Sequence, residues 1–461
     1  MFSDDTIAAV ATAVGEGGIG IVRLSGPASV AIADGLFRGI GGRPASGQPS
    51  RFAAYGHIVD PADGQTVDEV LLLIMRAPFS YTREDVVEIH CHGGPLPLRR
   101  ILALVLAAGA RAAEPGEFTK RAFLNGRLDL SQAEAVIDVI RAKTDASLRL
   151  AVGHLAGAFS QKVRAFRQEI LRLIAHLEAA IDFPEEDIEE LAAREVAAAL
   201  TTLGGDIDRL LATAGTGRIL REGLSTAIIG KPNVGKSSLL NALLGAKRAI
   251  VTDVPGTTRD IIEEYVNIGG IPLKVIDTAG IRETVDVVER IGVERAREAL
   301  AQADLVLVLL DASAPLTAED REVLGLLAGR QAIVLVNKTD LPAVIDLEMV
   351  SALVADKPVI RISALEGTGV DELETAISEL VYSGRVVQGD SAFVNNVRHS
   401  QLLAQARGRL TEAQAAAEGG LPPDCVVVDL RAAWTLLGEI IGETVGEDII
   451  DQIFSQFCIG K

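Results

Sequence analysis

The sequence predicts two α/β domains and one all-α domain, with the second α/β domain inserted into the all-α one. Strand-like runs separated by Gly, Pro and Asp turns occupy residues 1–120, and helical patterning begins at Ser131. A second set of buried strands follows residue 216, and helical patterning returns after residue 385. Because a domain whose termini lie close together can be inserted into another, the two helical stretches are predicted to form one domain.

The predicted division of the 461 residues has four parts. These are an N-terminal domain over 1–120, a first helical part over 121–215, an inserted α/β domain over 216–384, and a second helical part over 385–461 that ends in a tail containing Cys458. In the N-terminal domain, β-branched alternation predicts strands, and these are Thr6–Thr12, Ile19–Leu24, Glu69–Met75 and Val86–Cys91, followed by a helix over Leu96–Ala108.

Helical features of the first all-α part are predicted from capping and periodicity. Ser131–Glu134 reads as a capping box at a helix start, and the acidic run over 185–190 reads as a solvated surface. An apolar stripe with three- and four-residue spacing predicts a face that packs in a helical bundle. Its members are Val163, Phe166, Ile170, Leu173 and Leu177.

Composition limits the classes of function. The chain has 63 Asp and Glu against 44 Lys and Arg, a net charge of −19, so any contact with RNA needs a local basic patch or a basic partner. The cysteines Cys91, Cys425 and Cys458 are few and widely spaced, which favours a reducing cytoplasm over a disulfide framework. The N-terminus lacks a basic leader, and no apolar run reaches ~18 residues, so no membrane association is expected.

A phosphate-binding loop is predicted where an apolar strand meets G-x-x-x-x-G-K-S at Gly230–Ser237 and a helix-like segment follows. Gly230 and Gly235 let backbone N–H groups curl around phosphate oxygens. Lys236 supplies a positive charge, and Ser237 can ligate Mg²⁺. The predicted nucleotide contacts here are Asn233, Val234, Gly235, Lys236, Ser237 and Ser238.

Two further loops are predicted to face the phosphates. Asp277-Thr278-Ala279-Gly280 ends an apolar strand as D-x-x-G, so Asp277 can reach Mg²⁺ through water and the Gly280 N–H can donate to a γ-phosphate. Thr258 is the candidate second Mg²⁺ ligand. Its loop is expected to contribute Thr252, Asp253, Val254, Pro255, Gly256, Thr257 and Thr258 to the nucleotide site.

The base pocket is predicted from Asn337-Lys338-Thr339-Asp340, an N-K-x-D sequence that follows the buried strand from Ala332. The Asp340 carboxylate can accept from guanine N1–H and the N2 amino group together, which adenine does not offer. Ser363-Ala364-Leu365 follows another strand and completes the pocket. With these elements in order, the inserted domain is predicted to be a Ras-like P-loop G domain that binds GTP with Mg²⁺.

One expected catalytic residue is absent. Ras-like proteins place a Gln after the D-x-x-G glycine to orient the attacking water, and here that position is Ile281. Asn233 and the backbone over 252–257 are oxygen-rich neighbours of the phosphates, placed to hold a monovalent cation. A loop-stabilising role for Asn233 is the alternative.

Two cysteine-containing segments are candidates for reactive or metal-binding sites. Cys458, near an apolar C-terminal segment, is expected to be buried more often than catalytic, because no His lies nearby in sequence to activate it. His90-Cys91-His92 puts both imidazoles on one face of a strand, but no other ligands cluster in the sequence, so a zinc site is not expected.

Several segments outside the phosphate loop resemble one family, the tRNA modification GTPases called MnmE or TrmE, over essentially the whole chain. The matching segments are Asp5–Ile7, Gly18–Gly26, Pro115–Asn125, Asp277–Glu283 and Phe457–Lys461. The resemblance implies a cytoplasmic homodimer built through an N-terminal domain similar to tetrahydrofolate-binding modules. It implies a GTP hydrolase that forms a heterotetramer with the FAD protein MnmG and adds carboxymethylaminomethyl, an aminomethyl-type group, to C5 of the wobble uridine of certain tRNAs.

The family's sites carry over residue by residue. The implied K⁺ ligands are Asn233 with the backbone of Thr252, Val254 and Thr257. Glu289 matches an acidic residue that positions water, so the implied catalytic residues are Glu289, Asn233 and Lys236. A 5-formyl- or 5,10-methylene-tetrahydrofolate is implied to bind at Arg23, Glu88, Arg127 and Lys461, with Cys458 near the one-carbon unit.

Two other functions remain as alternatives. A ribosome-assembly switch of the Era or Der type has a similar G domain, but it predicts an RNA-binding appendage or a second G domain, and the sequence shows neither. A folate-dependent one-carbon transferase acting alone does not explain the G domain.

Overall fold

A computed structural model describes residues 5–13, 15–182, 189–246, 264–276, 300, 302–354, 356–382 and 393–461. The acidic run predicted over 185–190 lies largely outside these residues, and its side chains lie wholly outside what is described. Among the described helices, none combines the length and the apolar character needed to cross a membrane.

The N-terminal domain is built on one mixed sheet with the strand order β3-β4-β5-β6-β2-β1-β7. Neighbouring strands are antiparallel except β1 and β7, which are parallel. The strands are β1 Ile7–Val10, β2 Gly17–Ser25, β3 Phe37–Gly39, β4 Ala53–Val59, β5 Thr66–Met75, β6 Val86–Gly93 and β7 Arg111–Ala112. Helices α1 (Ser29–Leu36) and α2 (Pro95–Ala107) pack on one face, where Leu72, Ile74 and Ile101 are fully buried.

The predicted strands and helix of this domain are confirmed to within three residues at each end. Strands β3, β4 and β7 and helix α1 were not predicted from the sequence. Strands β3 and β7 contain only three and two residues, too short for alternation to register. In β4 the outward positions include Tyr55, so apolar residues stand on both faces and the alternation is blurred.

The second face of the sheet is exposed at β4 and β5 and largely covered at β2 and β6. Tyr55 and Leu71 are directly opposite each other on β4 and β5 and are 44% and 43% exposed. On the same face, Leu73, Glu88 and Arg23 form a row across β5, β6 and β2. At the β1 edge, Phe118 of helix α3 (Glu117–Leu124) covers Ile7 and Ala9.

The first helical part continues with five more helices. They are α4 Leu130–Arg141, α5 Asp145–Leu155, α6 Ala158–Asp182, α7 Glu189–Leu211 and α8 Ala214–Glu222. The predicted apolar stripe of α6 is confirmed, because its five residues are at most 8% exposed and lie in one core with Leu200 and Ile207 of α7.

The predicted capping box was wrong by two residues. Asp129, not Ser131, is the N-cap of α4, and it forms the capping box with Gln132. The Ser131 hydroxyl donates to Asp129 Oδ1 at 2.8 Å and is buried against Ser160. Glu134 does not reach back to the helix start, because Arg398 and His399 hold its carboxylate.

The inserted domain is a second sheet with the strand order β13-β12-β11-β8-β10-β9 in the described residues. All neighbours are parallel except β9 and β10. The strands are β8 Leu224–Ile229, β9 Glu264–Ile268, β10 Ile271–Ile276, β11 Leu305–Asp311, β12 Ala332–Asn337 and β13 Val359–Arg361. The helices are α9 Lys236–Ala246, α10 Ala318–Gly325, α11 Leu347–Val354 and α12 Val370–Tyr382.

The chain then returns to the helical domain. Its second part contains α13 Val397–Glu418, α14 Pro423–Ile441 and α15 Glu447–Phe454. Leu403 of α13 and Leu430 of α14 are fully buried in the core that α6 and α7 form. The helical domain is therefore discontinuous in sequence, as predicted, and the boundaries at residues 120, 215 and 384 stay a prediction.

Both connections to the inserted domain are held by Asp138 on α4. Arg221, at the end of α8, donates to Asp138 Oδ1 at 2.8 Å, and Asn395, just before α13, donates to Oδ2 at 3.1 Å. The two connections also touch each other, because the Val394 N–H donates to Thr213 Oγ1 at 3.0 Å. The entry and exit of the G domain therefore meet at one carboxylate.

One turn before Asp138, Glu134 is buried in a polar cluster with residues of α13. Its carboxylate accepts from Arg398 and His399, each at 2.7 Å. Burial alone would raise the pKa of Glu134, but the charges and hydrogen bonds of His399 and Arg398 outweigh it and lower the pKa to about 2. The Phe159 ring lies between His399 and His154, and burial, helped by the positive charge of His399, lowers the pKa of His154 to about 4.

This cluster predicts that acid destabilises the helical domain. The folded-state pKa of His154 lies below its unfolded value of ~6.5, so the unfolded chain takes up the proton first. We expect a loss on the order of 3 kcal/mol that begins below pH 6.5 and is complete near pH 4. Glu134 stabilises the fold above pH 4.5, and its contribution is lost as pH falls toward 2.

Urea unfolding at pH 7 and pH 4, followed by the fluorescence of Trp434, measures this loss. Trp434 is the one tryptophan of the chain and packs against the helical core. His154→Gln removes the buried imidazole and should flatten the pH dependence in this window, whatever it costs at pH 7. Equal unfolding free energies at pH 7 and pH 4 for the unsubstituted chain would contradict the prediction.

Candidate functional site

The phosphate loop connects β8 to α9 in a conformation that requires glycine. Gly230 and Gly235 have φ of 150° and 101°. A Cβ at Gly230 would lie 2.6 Å from the Leu309 carbonyl oxygen, and one at Gly235 would lie 2.2 Å from Asn337 Nδ2. The loop therefore lies directly against the ends of the neighbouring strands. Asn233, at φ 62°, is also left-handed, a conformation that Asn tolerates better than most residues.

Lys236 is the first residue of α9, and its ammonium group folds back over the loop. Nζ donates to the carbonyl oxygens of Gly230 and Lys231, each at 2.7 Å. Burial lowers the pKa of Lys236. Ser237 is the second residue of the same helix. The positive charge and the hydroxyl therefore lie at a helix N-terminus, which attracts anions.

Asn337 joins three parts of the predicted nucleotide site. Its side-chain amide donates to the Val234 carbonyl at 2.8 Å, and its Oδ1 accepts from the Ala364 N–H at 2.9 Å. Asn337 is only 2% exposed. It therefore fixes the phosphate loop to the 363–365 loop rather than presenting a free polar group.

The other residues of N-K-x-D are also held in place. Lys338 has φ 67°, and its Nζ pairs with Asp311 Oδ2 at 2.6 Å. The Ser363 hydroxyl donates to Asp340 Oδ1 at 2.6 Å. This leaves Oδ2 of Asp340 without a hydrogen bond among the described residues, in the position where a base can be bound. Thr339 donates through its N–H to the Ile362 carbonyl, and Leu365 is 84% exposed.

The remaining predicted nucleotide residues lie outside the described part of the chain. They are Thr252, Asp253, Val254, Pro255, Gly256, Thr257, Thr258, Asp277, Thr278, Ala279 and Gly280, together with Ile281 and Glu289. Their roles stay predictions.

The predicted folate residues converge on the partly covered face of the N-terminal sheet. Arg23 Nε donates to Glu88 Oε1 at 2.9 Å, and His90 Nε2 is 3.1 Å from Glu88 Oε2. Burial acts to raise the pKa of Glu88, but the hydrogen bond with His90 and the charge of Arg23 outweigh it and lower the pKa. Glu88 therefore lies as a carboxylate between two basic side chains.

Arg127 reaches the same region from the loop after α3. Its guanidinium carbon lies 4.6 Å from the centroid of the Tyr81 ring, and its Nη1 donates to the Tyr81 carbonyl at 2.9 Å. Arg23 lies 5.8 Å from the same ring centroid and 5.7 Å from that of Phe118. Tyr81 was not singled out from the sequence, because no motif marks an aromatic residue in this loop.

The C-terminal tail completes this cluster. Arg23 Nη1 donates to the Gly460 carbonyl at 3.3 Å, and the Gly116 N–H donates to the Cys458 carbonyl at 3.3 Å. Burial and the positive charge of Arg23 lower the pKa of Lys461. Gly460 has φ 92°, and a Cβ there would lie 2.3 Å from the Val10 carbonyl. We call Arg23, Glu88, Arg127, Cys458 and Lys461 the N-terminal site.

The expectation that Cys458 is buried is wrong. Cys458 is exposed, because the preceding Phe457 occupies the apolar position against Phe454 and Leu130. Cys91 is instead buried, and burial raises the pKa of its thiol to about 11. His90 pairs with Glu88 and His92 with Asp68. Within the described ranges, no three His, Cys, Asp or Glu side chains cluster closely enough to hold a metal ion.

The parallel sheet, the glycine-dependent phosphate loop and the ordered N-K-x-D segment define a guanine-nucleotide-binding P-loop protein. The family model described as "GTP-binding protein TrmE N-terminus" matches residues 6–127, and that described as "MnmE helical domain" matches residues 130–458. The chain belongs to the family of tRNA modification GTPases named MnmE.

Full-length relatives agree with this assignment. The tRNA modification GTPase MnmE of Geobacillus kaustophilus is 57% identical over 458 residues, which is 99% of each chain. That of Alkaliphilus oremlandii is 53% identical over 461 residues, covering both chains completely. Among solved structures, the FeoB G domain from Methanococcus jannaschii is 27% identical over 34% of this chain and 96% of that chain, with a TM-score of 0.26.

We expect Gly235→Ala to weaken nucleotide binding about tenfold or more, because the left-handed φ and the approach to Asn337 Nδ2 impose ~1–3 kcal/mol of strain on the loop. Gly245→Ala is the matched control. Gly245 lies near the end of α9, the helix that follows the loop, and no atom of the described residues lies within 4 Å of an added Cβ there. Titration with a fluorescent GDP analogue measures both variants, and equal affinities would contradict the assignment of Gly235 to the phosphate loop.

We expect Asp340→Asn to exchange base preference from guanine to xanthine. Ser363 already occupies Oδ1, so the substitution replaces the outward acceptor Oδ2 by an amide donor. Xanthine has an oxygen where guanine has the N2 amino group, so XTP should bind more tightly and GTP more weakly than in the unsubstituted chain. The control is Asp346→Asn, which retains a helix-capping side chain. An Asp340→Asn protein that still prefers GTP would refute the base contact.

Proposed function

We propose that this tRNA modification GTPase hydrolyses GTP to drive the addition of carboxymethylaminomethyl, an aminomethyl-type group, to C5 of the wobble uridine of certain tRNAs. The observation that carries the proposal is the presence of two separate sites in one chain. One is the ordered P-loop and N-K-x-D pair, and the other is the N-terminal site that the C-terminal tail completes. Identity with MnmE relatives over the whole chain supports the same conclusion.

In the proposed nucleotide complex, the phosphates lie against the N-terminus of α9, where Lys236 neutralises their charge. Ser237 and Thr258 would hold Mg²⁺, which would supply positive charge against the phosphates. The positions of Lys236 and Ser237 in the first turn of α9 support this arrangement. Thr258 enters from the part of the chain that is not described.

We propose that K⁺ and Glu289 replace the missing Gln. Asn233 has a left-handed backbone in the phosphate loop, and its side chain is exposed beside the phosphate position. There it would hold K⁺ together with the backbone of Thr252, Val254 and Thr257, and bound K⁺ would supply positive charge against the transition state. Glu289 positions the attacking water in place of a side chain at Ile281.

The N-terminal site is proposed to bind a tetrahydrofolate that carries a one-carbon unit, as its 5-formyl or 5,10-methylene form. Arg23, Arg127 and Lys461 supply positive charge, and Glu88 is the acceptor among them. The thiol of Cys458 is exposed, three residues before Lys461. These residues therefore suit a ligand that has both carboxylates and donor N–H groups.

A homodimer is proposed through the N-terminal domain. The exposed apolar pair Tyr55 and Leu71 lies on the same sheet face as Arg23 and Glu88, so a second copy on this face would cover apolar surface next to the N-terminal site. The proposed assembly is cytoplasmic and includes the FAD protein MnmG in a heterotetramer, with tRNA as the substrate.

We expect GTP turnover to be about tenfold or more faster in K⁺ than in Na⁺ at equal ionic strength, the scale of losing one charge-stabilising group. Asn233→Gly should abolish the difference, because glycine removes the ligand while tolerating the left-handed φ of 62°. Asn241→Ala, an exposed position of α9, is the control. Equal rates of the unsubstituted chain in the two salts would refute the K⁺ site.

We expect a chain that ends at Phe457 to lose tRNA modification but to keep K⁺-stimulated GTP turnover within a few fold. This truncation removes the Gly460 contact to Arg23 and the Lys461 charge while keeping the buried Phe457. The measurement is nucleoside analysis of tRNA from cells that lack the chain and carry either the full-length or the shortened form. Restored wobble-uridine modification by the shortened chain would contradict a role for the tail.

A further inference from the structure

The N-terminal site contains more positive than negative charge, and two of its cations lie over one aromatic ring. Arg23 pairs with Glu88, and the Glu88 carboxylate also acts on the pKa of Lys461. Arg127 lies over Tyr81. Arg23 comes from a strand in the middle of the sheet, and Arg127 comes from the loop after α3. Two guanidinium groups from such distant elements repel each other, so something must fix their separation.

Both guanidinium groups lie over the Tyr81 ring. Its centroid is 4.6 Å from the guanidinium carbon of Arg127 and 5.8 Å from that of Arg23. Both distances are within the range at which the ring's quadrupole attracts a cation. The ring therefore offers each guanidinium a favourable neighbour in place of the other cation.

The ring itself is held at both ends. The hydroxyl groups of Tyr81 and Thr119 are hydrogen-bonded at 2.9 Å, and Thr119 is fully buried. At the backbone, Arg127 donates to the Tyr81 carbonyl. The carbonyl of Thr82, the residue after Tyr81, accepts from Asn125 Nδ2 at 2.6 Å. Burial raises the pKa of Tyr81. The hydrogen bond with Thr119 and the charges of the two arginines act to lower this pKa, but burial outweighs them. The phenol stays neutral, so the ring acts through its face and not through a charge.

The two arginines differ in how far their charge is already satisfied. Arg23 pairs with Glu88 and donates to the Gly460 carbonyl. Arg127 is exposed and, in the residues that the structure covers, pairs with no carboxylate within 4 Å. Among the described residues, its guanidinium contacts Tyr81 through the ring and the backbone carbonyl. The charge of Arg127 is therefore available to an anionic group of a ligand.

We propose that Tyr81 is a positioning residue of the N-terminal site, whose ring sets the separation and orientation of Arg23 and Arg127 so that Arg127 binds a carboxylate of the ligand. This inference rests on the proposed folate binding, because it assigns to one arginine the anionic end of that ligand. Tyr81 contacts the arginines and acts on the ligand through them.

Calorimetric titration of the full chain with 5-formyltetrahydrofolate tests the proposal. Tyr81→Phe keeps the ring and should bind within about twofold of the unsubstituted chain. Tyr81→Leu removes the ring and should bind about tenfold more weakly, the scale of one or two cation–π contacts. Both variants should keep their K⁺-stimulated GTP turnover, because the nucleotide site lies in another domain.

A double-mutant cycle separates positioning from a general structural role. If Tyr81 acts through Arg127, Tyr81→Leu should cost less than about threefold when Arg127→Gln is already present. Thr119→Val, which frees the hydroxyl end of the ring without removing it, gives a second variant in case the Leu variant folds poorly, and it should weaken binding by a few fold.

The outcomes are distinct. Unchanged affinity of Tyr81→Leu, or losses that add fully in the double variant, would overturn the role of Tyr81 while leaving folate binding intact. If Tyr81→Leu fails to fold, an unchanged affinity of Thr119→Val for 5-formyltetrahydrofolate would overturn the role of Tyr81. If the unsubstituted chain does not bind 5-formyltetrahydrofolate, the proposed function fails first. A derivative that lacks the glutamate carboxylates should bind all variants alike, and a tenfold loss that persists with it would show that Arg127 does not bind the carboxylate.

Discussion

Two carboxylates one helical turn apart on α4 hold the helical domain together around its insertion. Glu134 binds Arg398 and His399 from the segment that returns after the G domain, and Asp138 binds Arg221 before the insertion and Asn395 after it. Glu134 is almost fully buried, so its negative charge is tolerated only with these partners. The hydrophobic core shared by the two helical parts depends on this connection, because it fixes where α13 begins.

The adjoining face of α4 contacts the end of the chain. Leu130 and Ile137 pack in one cluster with Ile450, Phe454 and Phe457. Through this cluster, α4 sets the place from which the tail continues to Arg23 of the N-terminal domain. A single helix of twelve residues therefore contacts both the connections to the G domain and the segment that leads into the tail of the N-terminal site.

Most of the fold was predictable because its signals are local. The strand, glycines and helix around Gly235 lie within one short segment, and their positions follow from backbone sterics. The start of α4 was misplaced because both Asp129 and Ser131 are good capping residues, and the long-range contacts of Glu134 with Arg398 and His399 cannot be seen in the sequence. Tyr81 could not have been found from the sequence, since its two cations are far away along the chain and meet only after folding.

In the topology of the helical domain, the whole G domain is an insertion whose two connections both lie at Asp138. The entropy lost on closing a loop grows only with the logarithm of its length, by about 0.6 kcal/mol for each doubling. A folded insert whose ends already lie together reduces even that cost, because it holds Arg221 and Asn395 near one another. The helical domain therefore carries a long insertion with almost the topology of a continuous bundle.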